Sequence, residues 1–206
     1  MKLLVATTNP GKLVEVREIL APLLAQDSTP HQLVSLDELG LPAPEENGQT
    51  FEENAAIKAT QSARASGLWT LADDSGLCVD ALHGAPGIRS ARYAETDGAR
   101  RLKLLSALGP LPASRRGAHF FCAVALSSPD GKRLFRSEGK VQGRIATSER
   151  GAGGFGYDPL FVPAEVPTRT LAELPQAEKN RLSHRGRALA RISPLLLRLL
   201  HDGDLT

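Results

Sequence analysis

The segment Thr7-Thr8-Asn9-Pro10-Gly11-Lys12 constrains this chain more than any other. An apolar run, Leu3-Leu4-Val5-Ala6, precedes it and is short enough for a buried strand. Leu13, Val16, Leu20 and Leu23 follow at helical spacing. Asn9 is a good N-cap, and Pro10 suits the first helical position. The chain therefore reads strand, tight turn, helix, with a lysine in the first helical turn. Backbone N–H groups and the positive end of the helix dipole point out of such a turn. A cation there is electrostatically misplaced unless an anion joins it, which makes the turn a candidate phosphate site. The spacing is not that of a Walker loop, which needs more glycine and a Gly-Lys-Ser/Thr ending. An ordinary βα turn with a solvated lysine explains the same residues about as well.

The chain has 206 residues, enough to bury a full core as one large domain or two small lobes. A net charge of +2 implies no general polyanion-binding surface, so an anionic substrate must be attracted locally. The same balance, with only 4% aromatic residues, disfavours RNA or DNA binding. Cys78 and Cys122 sit in apolar strand-like runs without metal-type spacing, which reads as buried free thiols in a reducing cytosol. The N-terminus enters a strand with no signal-peptide pattern, and no apolar run approaches membrane-spanning length. A cytoplasmic protein without membrane partners is expected.

Residues 26–48 are rich in proline, glycine and acidic groups, with a short strand at Gln32-Leu33-Val34. Thr50-Phe51-Glu52-Glu53 fits a capping box, opening a helix through Ala55, Ala56, Ala59 and Ala63 that Gly67 stops. Trp69-Thr70-Leu71-Ala72 reads as a strand running into Asp73-Asp74-Ser75-Gly76, and Leu77-Cys78-Val79 as a further strand. Residues 83–94 look loop-like and 97–108 helical. His119 to Leu126 is a strand, and Pro129-Asp130-Gly131 is a turn from which Arg133 to Ser137 returns antiparallel. Val141 to Ala146 adds another strand, and Gly151 to Pro163 forms a glycine-rich loop. Ser183 caps a last helix built on Leu189, Ile192, Leu196 and Leu199. The pattern predicts an α/β fold with a mixed sheet, and a second lobe over roughly 111–160 within a single domain. A cleft between lobes would be a natural ligand site.

Four features could carry chemistry beyond the turn itself. Asp73-Asp74 places two carboxylates at a strand end, costly to bury unless a cation meets them. Magnesium, which takes one or two carboxylates plus phosphate oxygens, would satisfy them, though turn capping is the commoner use of such aspartates. Glu45-Glu46 is either solvated loop charge or a second carboxylate for that metal. Phe155-Gly156-Tyr157-Asp158 puts an aromatic on a glycine-rich loop, where it could stack on a nucleobase or fold back onto the core. Lys179, His184 and Arg185 flank the start of the last helix. A planar guanidinium there suits phosphate or keto oxygens, against the alternative of plain surface charge. A phosphate turn, a carboxylate pair, a stacking loop and a basic group are what a nucleoside triphosphate hydrolase requires.

These blocks, in this order, resemble the inosine triphosphate pyrophosphatase family, the XTP/dITP diphosphatases. The resemblance rests on Thr7 to Glu15, Thr50 to Ala55 with Lys58, Ala72 to Leu77, and Gly84 to Ile88 with Ser90 to Tyr93. It continues in Gly154 to Pro159 and in Glu178-Lys179-Asn180 with Ser183 to Gly186. It implies an elongated mixed-sheet fold with flanking helices, two lobes around a central cleft, and a homodimer. It implies magnesium-dependent hydrolysis of ITP, dITP and XTP to the monophosphate and pyrophosphate, which cleanses the nucleotide pool. In that reading Asp74 holds magnesium and acts as general base, and Glu46 is a further ligand. Thr7, Thr8, Asn9, Pro10, Gly11 and Lys12 take the phosphates, and Ser75 adds a hydrogen bond. Phe155 stacks on the base within the loop that includes Gly156 and Tyr157, and Asp158, Lys179, His184 and Arg185 read it. A pyrophosphatase for modified pyrimidine or methylated nucleotides and a non-catalytic nucleotide-binding module are the alternatives.

Overall fold

Leu3, Leu4 and Val5 are all buried in β1 (Lys2–Val5). The computed structural model, which describes residues 1–26 and 30–205, pairs this strand in parallel on both sides. Its neighbours are β2 (Gln32–Ser35) and β3 (Thr70–Val79). A strand flanked by parallel partners has two covered faces, which is why β1 is a continuous apolar run. α1 (Pro10–Leu24) opens as expected, with the Asn9 side chain accepting from the Lys12 N–H and proline at the start. Of the 26–48 loop stretch, residues 27–29 lie outside the described residues.

α2 (Phe51–Ser66) is capped by the Thr50 side chain and stopped at Gly67, whose φ of 68° requires the left-handed region. The capping box differs from expectation. The Glu53 carboxylate accepts from the Gln49 N–H at 2.6 Å, one residue upstream of the cap. α3 (Asp97–Leu108), β4 (Gly117–Ser127), β5 (Leu134–Ile145), β6 (Phe161–Pro163), α4 (Gln176–Leu182) and α5 (His184–Asp202) follow. The sheet runs β2-β1-β3-β4-β5-β6, and β5 pairs with β6 antiparallel, so the fold is α/β with a mixed sheet.

Three expectations are corrected. Asp73-Asp74-Ser75-Gly76 is no turn: β3 runs straight through it, because cations and an amide meet the carboxylates inside the fold. Arg133–Ser137 and Val141–Ala146 are not two strands but parts of one, β5, which continues through Glu138 and Gly139. Residues 83–94, read as loop, contain a 3₁₀ segment over Gly87–Arg92.

The chain forms two compact units. The first comprises Met1–Asp74, Cys122–Gly139 and Arg185–Thr206; the second comprises Ser75–Phe121 and Lys140–His184. Residues 122–139 of the lobe expected over 111–160 thus belong to the first unit. The first unit's core joins Leu3 and Val5 with Val16 and Leu20 of α1, Val124 and Leu126 of β4, and Leu189, Ile192, Leu196 and Leu199 of α5. The second unit's core gathers Leu77, Val79, Leu104, Phe120, Val141, Tyr157 and Phe161.

Candidate active site

In the first unit the turn after β1 is wired so that two donors stay open. The Asn9 N–H is used by Thr7 Oγ1 at 3.2 Å, and the Lys12 N–H by Asn9 Oδ1 at 3.1 Å. Pro10 has no N–H. Among the described residues, the N–H groups of Thr8 and Gly11 meet no protein acceptor. They are the two donors this turn can offer an anion, together with the dipole of α1.

Beside the turn lies a buried charge cluster. Lys12 Nζ is 3.1 Å from Asp73 Oδ2. Arg185, only 1% exposed, reaches the same oxygen through Nη2 at 3.0 Å and Nε at 3.2 Å, and gives Nη1 to Glu15. Burial by itself would raise the Asp73 carboxyl, but Lys12, Arg185 and Lys58 overcome it and hold the group well below the usual carboxylate range. Asp74 behaves oppositely. It accepts from Asn54 Nδ2 at 3.1 Å and lies 3.4 Å from Lys58 Nζ. Burial, reinforced by Glu46 and Asp73, raises it in spite of Lys58 and Lys12. Lys58 is shared with Glu46 Oε1 at 2.7 Å, and Asp74, Asp73 and Glu46 raise it against the lowering effect of its burial.

Of the adjacent glutamates, Glu46 is half-buried and joins this cluster through Lys58, whereas Glu45 is exposed. Glu15, Glu46, Asp73 and Asp74 carry four negative charges against three positive ones on Lys12, Lys58 and Arg185. Of the two aspartates, Asp74 is the one that burial raises on balance. Among the described residues no three His, Cys, Asp or Glu side chains converge to hold an ion unaided. Glu46 and Asp74, which share Lys58, are hard carboxylates of the kind magnesium takes beside water and phosphate oxygens. The residues present therefore fit that ion.

The second unit holds the glycine-rich loop. Asp158 folds back to accept from the Phe155 N–H at 2.9 Å and from Lys179 Nζ at 2.5 Å. Lys179 also lies 5.1 Å above the Phe155 ring centre, a cation–π contact. Gly154 has φ +71°, and a Cβ there would strike the Asp158 carboxylate and the Lys179 ammonium. Tyr157 is buried, and its hydroxyl donates to the Ser90 carbonyl at 3.0 Å, so it anchors the loop. Burial pushes its phenol up. His184 stacks on Phe120 with ring centres 4.6 Å apart and planes 7° from parallel. Ser75 is half-buried on β3.

The first unit thus brings together Thr7 to Lys12, Glu46, Asp74 and Arg185, and the second Phe155, Gly156, Tyr157, Asp158 and Lys179. Arg185, expected at the base, gives its guanidinium to Asp73 and Glu15. Sequence reasoning gives no role to Lys58, Asn54 or Glu15. The signal was present in α2, where polar Asn54, Lys58 and Ser62 recur every fourth residue beside buried Ala55, Ala59 and Ala63. Polar residues on a buried helical face need partners.

A family model described as Ham1 family matches residues 3–195. The chain belongs to the Ham1 family. One Ham1 relative, the dITP/XTP pyrophosphatase of Geobacter sulfurreducens, is 51% identical over 92% of this chain and 93% of its own. A HAM1 protein structure from Coxiella burnetii superposes with a TM-score of 0.82 at 41% identity, covering 95% of this chain and 98% of that one. The Mycobacterium abscessus nucleoside-triphosphatase / dITP/XTP pyrophosphatase gives a TM-score of 0.70 at 45% identity, covering 94% and 100%.

Proposed function

We propose that this chain hydrolyses deaminated purine nucleoside triphosphates, dITP, ITP and XTP, to the monophosphate and pyrophosphate. The observation that carries the reading is the buried cluster around Asp73 and Asp74, with Lys12 and Lys58 among its cations, beside a turn with two open amides. The Ham1 relatives named as dITP/XTP pyrophosphatases support the substrate class.

In this reading the Thr8 and Gly11 N–H groups and the Lys12 ammonium take phosphate oxygens. Asp74 and Glu46 would hold magnesium, which when bound neutralises charge on the phosphates and lowers the cost of their approach to the cluster. Asp74 accepts a proton from the attacking water. Asp73, locked by Lys12 and Arg185, stays ionised and fixes the lysine. Ser75 donates to the substrate.

Phe155 offers a ring face for stacking on the purine, opposite the face that Lys179 covers. Asp158, Lys179 and His184 read the base edge, while Tyr157 anchors their loop. Donors facing the 6-keto oxygen of hypoxanthine or xanthine would face the amino group of adenine, and each buried polar group so stranded costs about 1–3 kcal/mol. Magnesium, a homodimer and a cytoplasmic setting complete the proposal; the two free cysteines suit a reducing compartment. No helix among the described residues is long and apolar enough to cross a membrane.

The test is pyrophosphate release from dITP, dATP, dGTP and a modified pyrimidine triphosphate, with and without magnesium. The reading expects dITP to be preferred over dATP by orders of magnitude and turnover to require the ion. Preference for the pyrimidine, or binding without turnover, overturns it.

A further inference from the structure

Both main-chain polar groups of Gly156 are held by one turn of α3. The Gly156 N–H donates to Asp97 Oδ2 at 2.8 Å, and the Gly156 carbonyl accepts from Arg101 Nη1 at 2.9 Å. Asp97 and Arg101 are four residues apart, so their side chains rise from the same face of the helix. Each is itself fixed. Asp97 Oδ1 accepts from Arg100 Nη1 at 2.6 Å, and Arg100 Nε donates to the Ala94 carbonyl at 2.9 Å. Arg101 Nε lies 3.0 Å from Glu149 Oε1. Arg101 therefore ties together Glu149 and Gly156, which stand on either side of the glycine run Gly151, Gly153 and Gly154. The helix itself is well founded, with Thr96 accepting from the Ala99 N–H at 3.1 Å and Asp97 favourably placed at the positive end of the dipole.

Gly156 sits at φ +61°, and nothing lies within 4 Å of where its Cβ would be. No packing at the Cβ position restrains it, and the two hydrogen bonds from α3 hold its peptide groups. Its neighbour Phe155 is half-buried, with its N–H held by Asp158 and Lys179 lying over its ring, and Gly156 carries the chain out of it on the other side.

We propose that Asp97 and Arg101 are positioning residues for base recognition, clamping Gly156 and through it the plane of the Phe155 ring. The inference rests on the reading of Phe155 as the stacking platform. A ring that is already oriented spends less of its stacking energy on ordering the loop, so the clamp acts on affinity for the base. It touches none of the groups assigned to the phosphates or to the attacking water. Loss of the clamp should thus move KM and base discrimination, and leave kcat nearly alone.

The experiment measures initial rates of pyrophosphate release from dITP and dATP, with magnesium, for the wild type and for Asp97→Ala, Asp97→Asn and Arg101→Met. Melting temperatures are recorded in parallel. Asp97→Ala and Arg101→Met are each expected to raise KM for dITP about tenfold, the scale of one charge-assisted hydrogen bond, with kcat within about twofold. The ratio of kcat/KM for dITP over dATP should fall. Asp97→Asn keeps an acceptor for the Gly156 N–H and should restore most of the wild-type KM. If Asp97→Ala does not fold, Arg101→Met carries the same comparison. Wild-type KM and discrimination in folded variants overturn the clamp alone, as do losses confined to kcat. A wild-type protein inactive on dITP overturns the proposed function and the clamp with it.

Discussion

Replacing Arg185 with methionine is the sharpest perturbation of this fold. The guanidinium is 1% exposed and gives three nitrogens to two buried carboxylates, Asp73 and Glu15. Methionine keeps much of the side-chain volume but takes the guanidinium from both acids, leaving Asp73 with Lys12. Breaking one side of a buried ion pair costs about 3–5 kcal/mol, and in a chain of this length each kcal/mol shifts the melting temperature by about 2–4 °C. Arg185→Met should therefore melt about 6–20 °C below the wild type at pH 7, by calorimetry or circular dichroism. Adding Glu15→Gln removes one stranded charge and should recover part of the loss. The pH dependence supplies an independent check. Asp73 is held below its ordinary value of 3.8, so the stability it contributes is complete above that pH and is lost as pH falls below it. Removing Arg185 weakens that depression, so the variant's melting temperature should fall less steeply with acid than the wild type's. A shift of less than about 2 °C at pH 7 with an unchanged acid limb would refute the argument. If that stability persists while dITP-over-dATP selectivity collapses, the main work of Arg185 is at the base.

Asp74→Asn should cut turnover on dITP at least about a hundredfold, the scale of a lost general base, while the fold persists. Because burial raises this carboxyl, its ionised form costs stability above that raised pKa, and the cost disappears as pH falls. The amide should thus melt slightly higher than wild type at pH 7, and a lower melting point would contradict the cost assigned to burying the Asp74 charge. Gly154→Ala forces a side chain into the left-handed region at a cost of about 1–2 kcal/mol and drives it against Asp158 and Lys179. Steady-state rates should show a lower kcat/KM for dITP and a narrowed preference over dATP; unchanged values would place the base away from this loop.

Much of the framework was legible because its signals are local. Asn9 and Pro10 fix the start of α1, Thr50 and Gly67 bracket α2, and residues 97–108 carry α3 to the residue. The errors arise where distant residues decide. Asp73-Asp74-Ser75-Gly76 has the composition of a turn, and only Lys12, Arg185, Lys58 and Asn54, brought in from elsewhere, make it a strand. The composition of Glu138, Gly139 and Lys140 suggests a break in β5 that strand pairing overrides. Arg185, expected at the base, gives its guanidinium to Glu15 and Asp73, 170 and 112 residues away in the chain, and no local signal marks such distant partners. Lys58 and Asn54 are marked by helical spacing alone, as polar residues beside the buried alanines of α2.

The first unit is assembled from three separate stretches of chain, the last being α5. Its core takes Ala188, Leu189, Ile192, Leu196, Leu199 and Leu200 from that helix. A ribosome must therefore deliver α5 before β1 and α1, which precede it in the chain, can be sealed. A product terminated before residue 184 would leave that apolar surface bare, exposing it to aggregation and proteolysis however well the nascent segments had formed.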